Sequence, residues 1–250
     1  MKRILFALAL VCLAGRPLAR ETVTITYFDV PPHVIYDPAT KKVSGAVVDL
    51  LEYLAPDLDV ELVWDPSPSN IPRQMSQLET GGRDMAAVFI YNPADLTKFA
   101  YSEKPYFLAR DGLLVKTSNP LGSIAKLDDI LSWTIGYAAD TYRSEFMRDG
   151  RIKWDNNPSP EFNALNVKKL LAGRLDAVYA PDHAALLYSR KAARSEQTVK
   201  VLYTPQAPVP LSIGFSHKNP AIKKKFDEAF AKRDGAKKYA DLLSKYIGMP

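Results

Sequence analysis

Leu78-Glu-Thr-Gly-Gly-Arg-Asp-Met-Ala-Ala-Val-Phe-Ile-Tyr-Asn-Pro-Ala-Asp95 reads as the end of a helix, a short apolar strand and a polar loop. The pattern returns in Leu170-Leu-Ala-Gly-Arg-Leu-Asp-Ala-Val-Tyr-Ala-Pro-Asp-His183, with the same Leu-x-x-Gly-x-x-Asp spacing followed by an apolar run and a loop carrying proline and aspartate. Gly81 and Gly173 can adopt the left-handed backbone that stops a helix, and the run after each aspartate suits a buried strand. In open α/β sheets, ligands collect beyond the carboxyl ends of such strands. Two copies therefore predict two α/β lobes, each presenting a loop to a shared cleft, although the motif by itself is a common helix-to-strand connection.

Outward from this pair, the rest of the chain reads as alternating elements. Thr22–Phe28 alternates like a strand and is broken by Asp29-Val-Pro-Pro-His33. A turn at Asp37–Lys42 precedes a helix over Ala46–Ala55, with Val47, Leu50, Leu51 and Leu54 on one face, and Asp59–Trp64 alternates as a second strand. A helix bearing Ile71, Met75 and Leu78 leads into the first glycine motif. Gly112–Lys116 is a strand leading out of the first lobe, Leu127–Leu131 a short helix and Trp133–Gly136 a strand. Thr141–Arg148 is read as a helix capped by Asp140 or Thr141. Pro160–Leu171 and Ala184–Ala193 are further helices, and Ala177–Ala180 and Val199–Tyr203 further strands. The proline-rich Pro205–Pro210 suits a return linker into the strand Leu211–Phe215, before helices at Pro220–Lys232 and Gly235–Tyr246. The expected division is residues 20–112 with 208–250 in one lobe and 113–207 in the other, hinged about two crossing strands.

Composition excludes several classes. With 250 residues, 47% hydrophobic and 24% charged, the chain is neither disordered nor fibrous. Residues 1–19 have a basic start, an apolar core too short for an anchor and small residues near the end, and are read as a secretory signal peptide. The single cysteine, Cys12, lies in that core without the small residues of a lipoprotein cleavage site, so a freely soluble periplasmic protein without disulfides is expected. Loss of Lys2, Arg3 and Arg16 reduces the formal charge of +5 to 30 basic against 28 acidic residues, which removes the electrostatic case for nucleic-acid binding. The lysine clusters at 223–225 and 237–238 fit a solvated helix face.

Several landmarks together resemble the extracellular solute-binding proteins of family 3, with the type II periplasmic-binding-protein fold. They are Pro31-Pro32, Gly45-Ala-Val-Val-Asp-Leu50, the two glycine motifs, Ser102-Glu-Lys-Pro-Tyr106, Gly136 to Thr141 and Lys245-Tyr-Ile-Gly248. The resemblance implies a cleft that closes on a small polar solute and delivery of that solute to an inner-membrane ABC permease by a monomeric protein without a cofactor. Amino-acid-binding members carry Thr-Pro-Glu-Arg after the first motif, whose arginine grips the ligand carboxylate through two parallel bonds. Here Asn92-Pro93-Ala94-Asp95 stands in its place, Val88 and Ile90 replace hydroxyl residues, and the ammonium-binding aspartate falls at Pro181, with Asp182 one residue late. Both amino-acid anchors are thus missing or displaced.

The expected ligand-binding residues are Asp29, His33, Tyr91, Asn92, Asp95, Thr141, Tyr142, Asp182 and His183. Asp95 near a cleft favours a cationic or hydroxyl-rich ligand, or else caps its own turn. Thr141 offers a hydroxyl and free amides at a helix start to an anionic or polar group. Tyr36, Tyr142 and Tyr179 could stack on a ligand, while Arg73 and Arg143 are the nearby substitutes for a carboxylate clamp. Histidine and carboxylate are ordinary zinc ligands, but three scattered histidines show no ligand spacing and no metal is expected. The chain carries no Gly-x-Ser-x-Gly, phosphate-loop or His-Glu-x-x-His motif. The rival readings are a cyclohexadienyl-dehydratase-like enzyme on the same fold, which needs a protonated acid beside a bound carboxylate substrate, and a periplasmic sensor.

Overall fold

In the computed structural model, residues 20–139, 142–159 and 162–248 are described. The first lobe opens with β1 (Glu21–Thr26), the hairpin β2 (Ile35–Asp37) and β3 (Lys42–Ser44), α1 (Ala46–Leu58), β4 (Val60–Trp64), α2 (Ile71–Thr80) and β5 (Met85–Ile90). It continues through a 3-10 turn at Pro93–Thr97, then β6 (Ala100–Tyr101) and β7 (Phe107–Ala109). The second lobe holds β8 (Gly112–Lys116), β9 (Thr134–Ala138), β10 (Lys153–Asn157), α3 (Phe162–Leu171), β11 (Ala177–Ala180), α4 (His183–Ala192) and β12 (Val199–Tyr203). The chain then returns through β13 (Val209–Phe215) to α5 (Pro220–Lys232) and α6 (Gly235–Ile247).

These strands form one sheet per lobe, ordered β4-β1-β5-β13-β6 with β7 beside β13, and β10-β9-β11-β8-β12. β1 is parallel to β4 and β5, and β9 to β10 and β11, whereas β13 and β8 run antiparallel to their neighbours. The molecule therefore has two α/β lobes joined by two chain crossings, β7 to β8 and β12 to β13. Parallel strands need helical crossovers, which place α1 against the first sheet and α3 and α4 against the second.

The two glycine motifs do the same structural work in both lobes. Gly81 and Gly173 have φ of 78° and 73°, in the left-handed region that stops α2 and α3. The motif aspartates then reach back to the first parallel strand of their own sheet. Thr24 donates its amide and hydroxyl to Asp84 Oδ2 at 2.8 and 2.7 Å, and the Thr134 amide donates to Asp176 Oδ2 at 2.7 Å. Burial opposes the charge on Asp84, but these donors and Asn219 outweigh it and hold the carboxyl below its usual range.

Several features depart from the sequence reading. The helix expected over 127–131 is only a 3-10 turn at Leu127–Asp129. Of the segment expected to be helical over 141–148, the described residues 142–148 hold only a 3-10 turn at Phe146–Arg148. Its Ser144 amide donates to the Tyr179 hydroxyl at 3.1 Å and its Ser144 hydroxyl to Asp111, so tertiary bonds satisfy groups that a helix would have paired internally. The expected caps, Asp140 and Thr141, lie outside the described residues. β10 also goes unannounced in the sequence, because Lys-Trp-Asp-Asn-Asn lacks an apolar alternation, and it forms as an edge strand on β9.

Candidate functional site

The loop after β1 positions the first wall of the site. Val30 and Val34 close it as a bridge, the His33 amide donates to the Val30 carbonyl at 2.9 Å, and Pro31-Pro32 is cis. The carbonyls of Pro32 and His33 accept the first amides of α1, from Ala46 and Val47, at 2.9 and 3.0 Å. Those orphan helix donors hold the loop rigid without a side-chain cap. Phe28 to Pro31 then face α3, α4 and the carboxyl ends of β9 and β11 across a cavity of about 440 Å3. Both lobes wall it, at the place where open α/β sheets take ligands.

Most of that wall is apolar or aromatic, including Phe28, Tyr137, Phe162, Tyr179 and Tyr188. Its charged groups among the described residues are Asp29, Asp182 and Lys168. Asp29 accepts the Tyr36 amide on Oδ1 at 3.0 Å, and the partial desolvation of its carboxyl raises it above the usual range. Asp182 is engaged inside the protein. It caps α4 by accepting the Ala184 amide at 3.0 Å, and its Oδ2 lies 2.6 Å from His33 Nε2. Burial works against the Asp182 charge, but His33 outweighs it and holds the carboxyl below its ordinary range. An ionised Asp182 only accepts, so His33 carries a proton on Nε2, and its Nδ1 meets the Tyr239 hydroxyl. His33 itself is fully buried, stacked against Tyr239 and tilted over Phe107.

His183, the first residue of α4, packs against the first crossing between the lobes. Its Nδ1 accepts the Arg110 amide at 3.1 Å, its ring stacks on Phe107 with centroids 5.1 Å apart, and burial lowers its pKa. Of the residues expected from sequence, the cavity brings together Asp29 and Asp182, with Tyr179, and the interior behind it holds His33 and His183. Tyr91, Asn92 and Asp95 lie off its wall. Asn92 caps the 3-10 turn through the Ala94 amide, and Asp95 accepts from Asn92 Nδ2 at 3.0 Å and from the Tyr101 hydroxyl at 3.4 Å. Tyr142 is exposed beneath the Arg148 guanidinium, and Thr141 is outside the described residues. Neither candidate clamp is among the lining residues: Arg73 is exposed on α2, and Arg143 packs behind the wall, 5.6 Å from the ring centroid of the lining Tyr137 and 5.5 Å from that of Trp154.

Sequence reasoning missed Lys168 and Tyr188, which sit on helices with no motif around them. It also missed Asp111, a buried carboxylate beside the first crossing that takes hydrogen bonds from Ser144, Tyr179 at 2.9 Å and Thr204 at 3.3 Å. Burial raises its pKa, and these hydroxyls only partly offset that effect. An acid between the apolar runs Phe107–Ala109 and Leu113–Val115 is the signal that could have flagged it. Among the described residues no three His, Cys, Asp or Glu gather as a metal site.

The model of the bacterial extracellular solute-binding proteins, family 3, matches residues 23–249, and the chain belongs to that family. Solved structures with the same fold include an ancestral amino-acid-binding protein described as a precursor of cyclohexadienyl dehydratase. That structure has TM-score 0.68 and 21% identity, covering 90% of this chain and 95% of that one. The substrate-binding protein of an amino acid ABC transporter aligns with TM-score 0.66 and 18% identity, over 91% of this chain and 100% of the other. The periplasmic VFT2 domain of Bordetella pertussis BvgS aligns with TM-score 0.68 and 13% identity, over 90% and 93%. At these identities the likeness shows the fold. No curated protein sequence matches the chain.

Proposed function

We propose that this protein is the periplasmic binding component of an ABC importer, exported by the signal peptide at residues 1–19, which captures one small polar solute by closure of its lobes and performs no chemistry on it. The observation that carries this reading is the cavity walled by both lobes, in which Asp29 keeps an oxygen without a partner among the described residues while the other acid, Asp182, is bonded internally. A solute touching both walls binds the closed arrangement better than the open one and so drives closure. The solute-binding family and the amino acid ABC transporter neighbour support the reading.

The expected contacts at Tyr91, Asn92, Asp95, Thr141 and Tyr142 belong to this proposal as residues that meet the solute on closure. Thermal-shift screening against amino acids, amines, sugars and carboxylates tests the reading, because a ligand bound only by the folded state raises Tm. Absence of any saturable shift would count against it. The dehydratase alternative draws on the neighbour named as a dehydratase precursor. Against it, the buried His33–Asp182 pair has its polar atoms occupied by Tyr239, by the Ala184 amide and by each other. Prephenate turnover by the purified protein would replace our reading with that one.

A further inference from the structure

We propose that the cavity selects an organic amine with an apolar body, its ammonium held by Asp29, and not an α-amino acid. The inference rests on the solute-binding reading above and names the substrate class for that site. Three observations converge on it. The first is the carboxylate. Asp29 lines the cavity, and the Tyr36 amide occupies only Oδ1, so Oδ2 has no partner among the described residues. Asp29 is exposed at the edge of a largely apolar wall, so this free oxygen is open to an incoming cation.

The second is the wall itself. Phe28, Tyr137, Phe162, Tyr179 and Tyr188 line the space with aromatic side chains, which suit a cation and exclude water from a hydrocarbon body. The third is what is missing for a carboxylate. Among the described lining residues Lys168 is the only cation, and it is an exposed side chain on α3, a flexible point charge in solvent and not a fork held in place. Asp182, the acid nearest the place where an amino-acid ammonium would bind in this family, is turned to His33. The cavity thus presents a carboxylate on the first lobe's wall, and its described lining residues include no preorganised partner for a ligand carboxylate. Its volume of about 440 Å3 suits a molecule of one ring or a short alkyl chain.

Calorimetric titration with 2-phenylethylamine, phenylalanine and 3-phenylpropionate tests this directly, since the three share an apolar body and carry an ammonium, both charges and a carboxylate respectively. A series of primary amines from butylamine to tryptamine allows for the length of the body. The best amine is expected to bind at least tenfold more tightly than phenylalanine, with 3-phenylpropionate weaker still. Asp29→Asn is expected to weaken the amine tenfold or more, with the ligand-free Tm reporting that the variant is folded. Tighter binding of phenylalanine or 3-phenylpropionate than of every amine, lost in Lys168→Gln, overturns the inference and leaves the solute-binding reading intact. Failure of every compound here and of the wider panel of amino acids, sugars and carboxylates overturns both.

Discussion

Asp182 keeps its charge in the interior because His33 faces it at 2.6 Å. Removing one partner of such a pair strands the other, which is costlier than the pair is valuable. His33→Ala is therefore expected to lose about 3 kcal/mol at neutral pH, measured by urea denaturation. The folded pKa of Asp182 is depressed, so its stabilisation is present above the unfolded carboxyl value, about 4, and is lost as pH falls through the folded value. The gap between wild type and variant should accordingly narrow on acidification. Asp111 has the opposite sign. Its folded pKa is raised by burial, so its favourable contribution exists below about pH 4 and is lost as pH rises through the folded value. Wild type should lose stability relative to Asp111→Asn between acid and neutral pH, and parallel Tm profiles for the two proteins would contradict this assignment. His33 and Asp182 could both be named as cleft candidates from the sequence, but they lie 149 positions apart, and that they bond to each other inside the protein is decided by folding.

At the scale of elements, the local signals were strong where the physics is local. Glycine at 81 and 173, the apolar runs after each aspartate, the 13-residue helix over Pro220–Lys232 and the strand over Val199–Tyr203 all follow from backbone preference and periodicity. The segment after β9 was misjudged because its polar groups bond to Asp111, in the crossing before β8, and to Tyr179 of β11. α1 shows how one position joins loop and helix. Gly45 starts it with φ of 124°, and a Cβ there would sit 2.4 Å from the His33 carbonyl oxygen. Gly45→Ala thus combines a left-handed penalty with a clash against backbone and should cost more than about 2 kcal/mol in chemical denaturation. It should also disturb Asp29, because the same loop carries both.

At the scale of the molecule, α4 belongs to the second sheet yet packs into the first lobe's core. Ala184 and Leu187 are buried in the cluster that holds Leu242 and Leu243 of α6, with Tyr188 packed against it, and the His33–Asp182 bond lies beside them. Shared burial couples the lobes, so scanning calorimetry should give one cooperative transition; two well-separated transitions would show independent lobes. The sequence by itself determined the class of fold, since a repeated Leu-x-x-Gly-x-x-Asp with flanking helix and strand periods encodes a local structure twice, and the order of landmarks reached the family. It also put Asp95 where the resemblance expects the clamp arginine, because that is a matter of residue identity at one position. Only the tertiary structure decided what the charged residues do. The motif aspartates hold strands 60 and 42 positions earlier, Asp182 is hydrogen-bonded to His33, and Asp29 is left facing the cavity. A charge acts on whatever lies within a few ångströms of it, and for these groups those neighbours are distant in the chain.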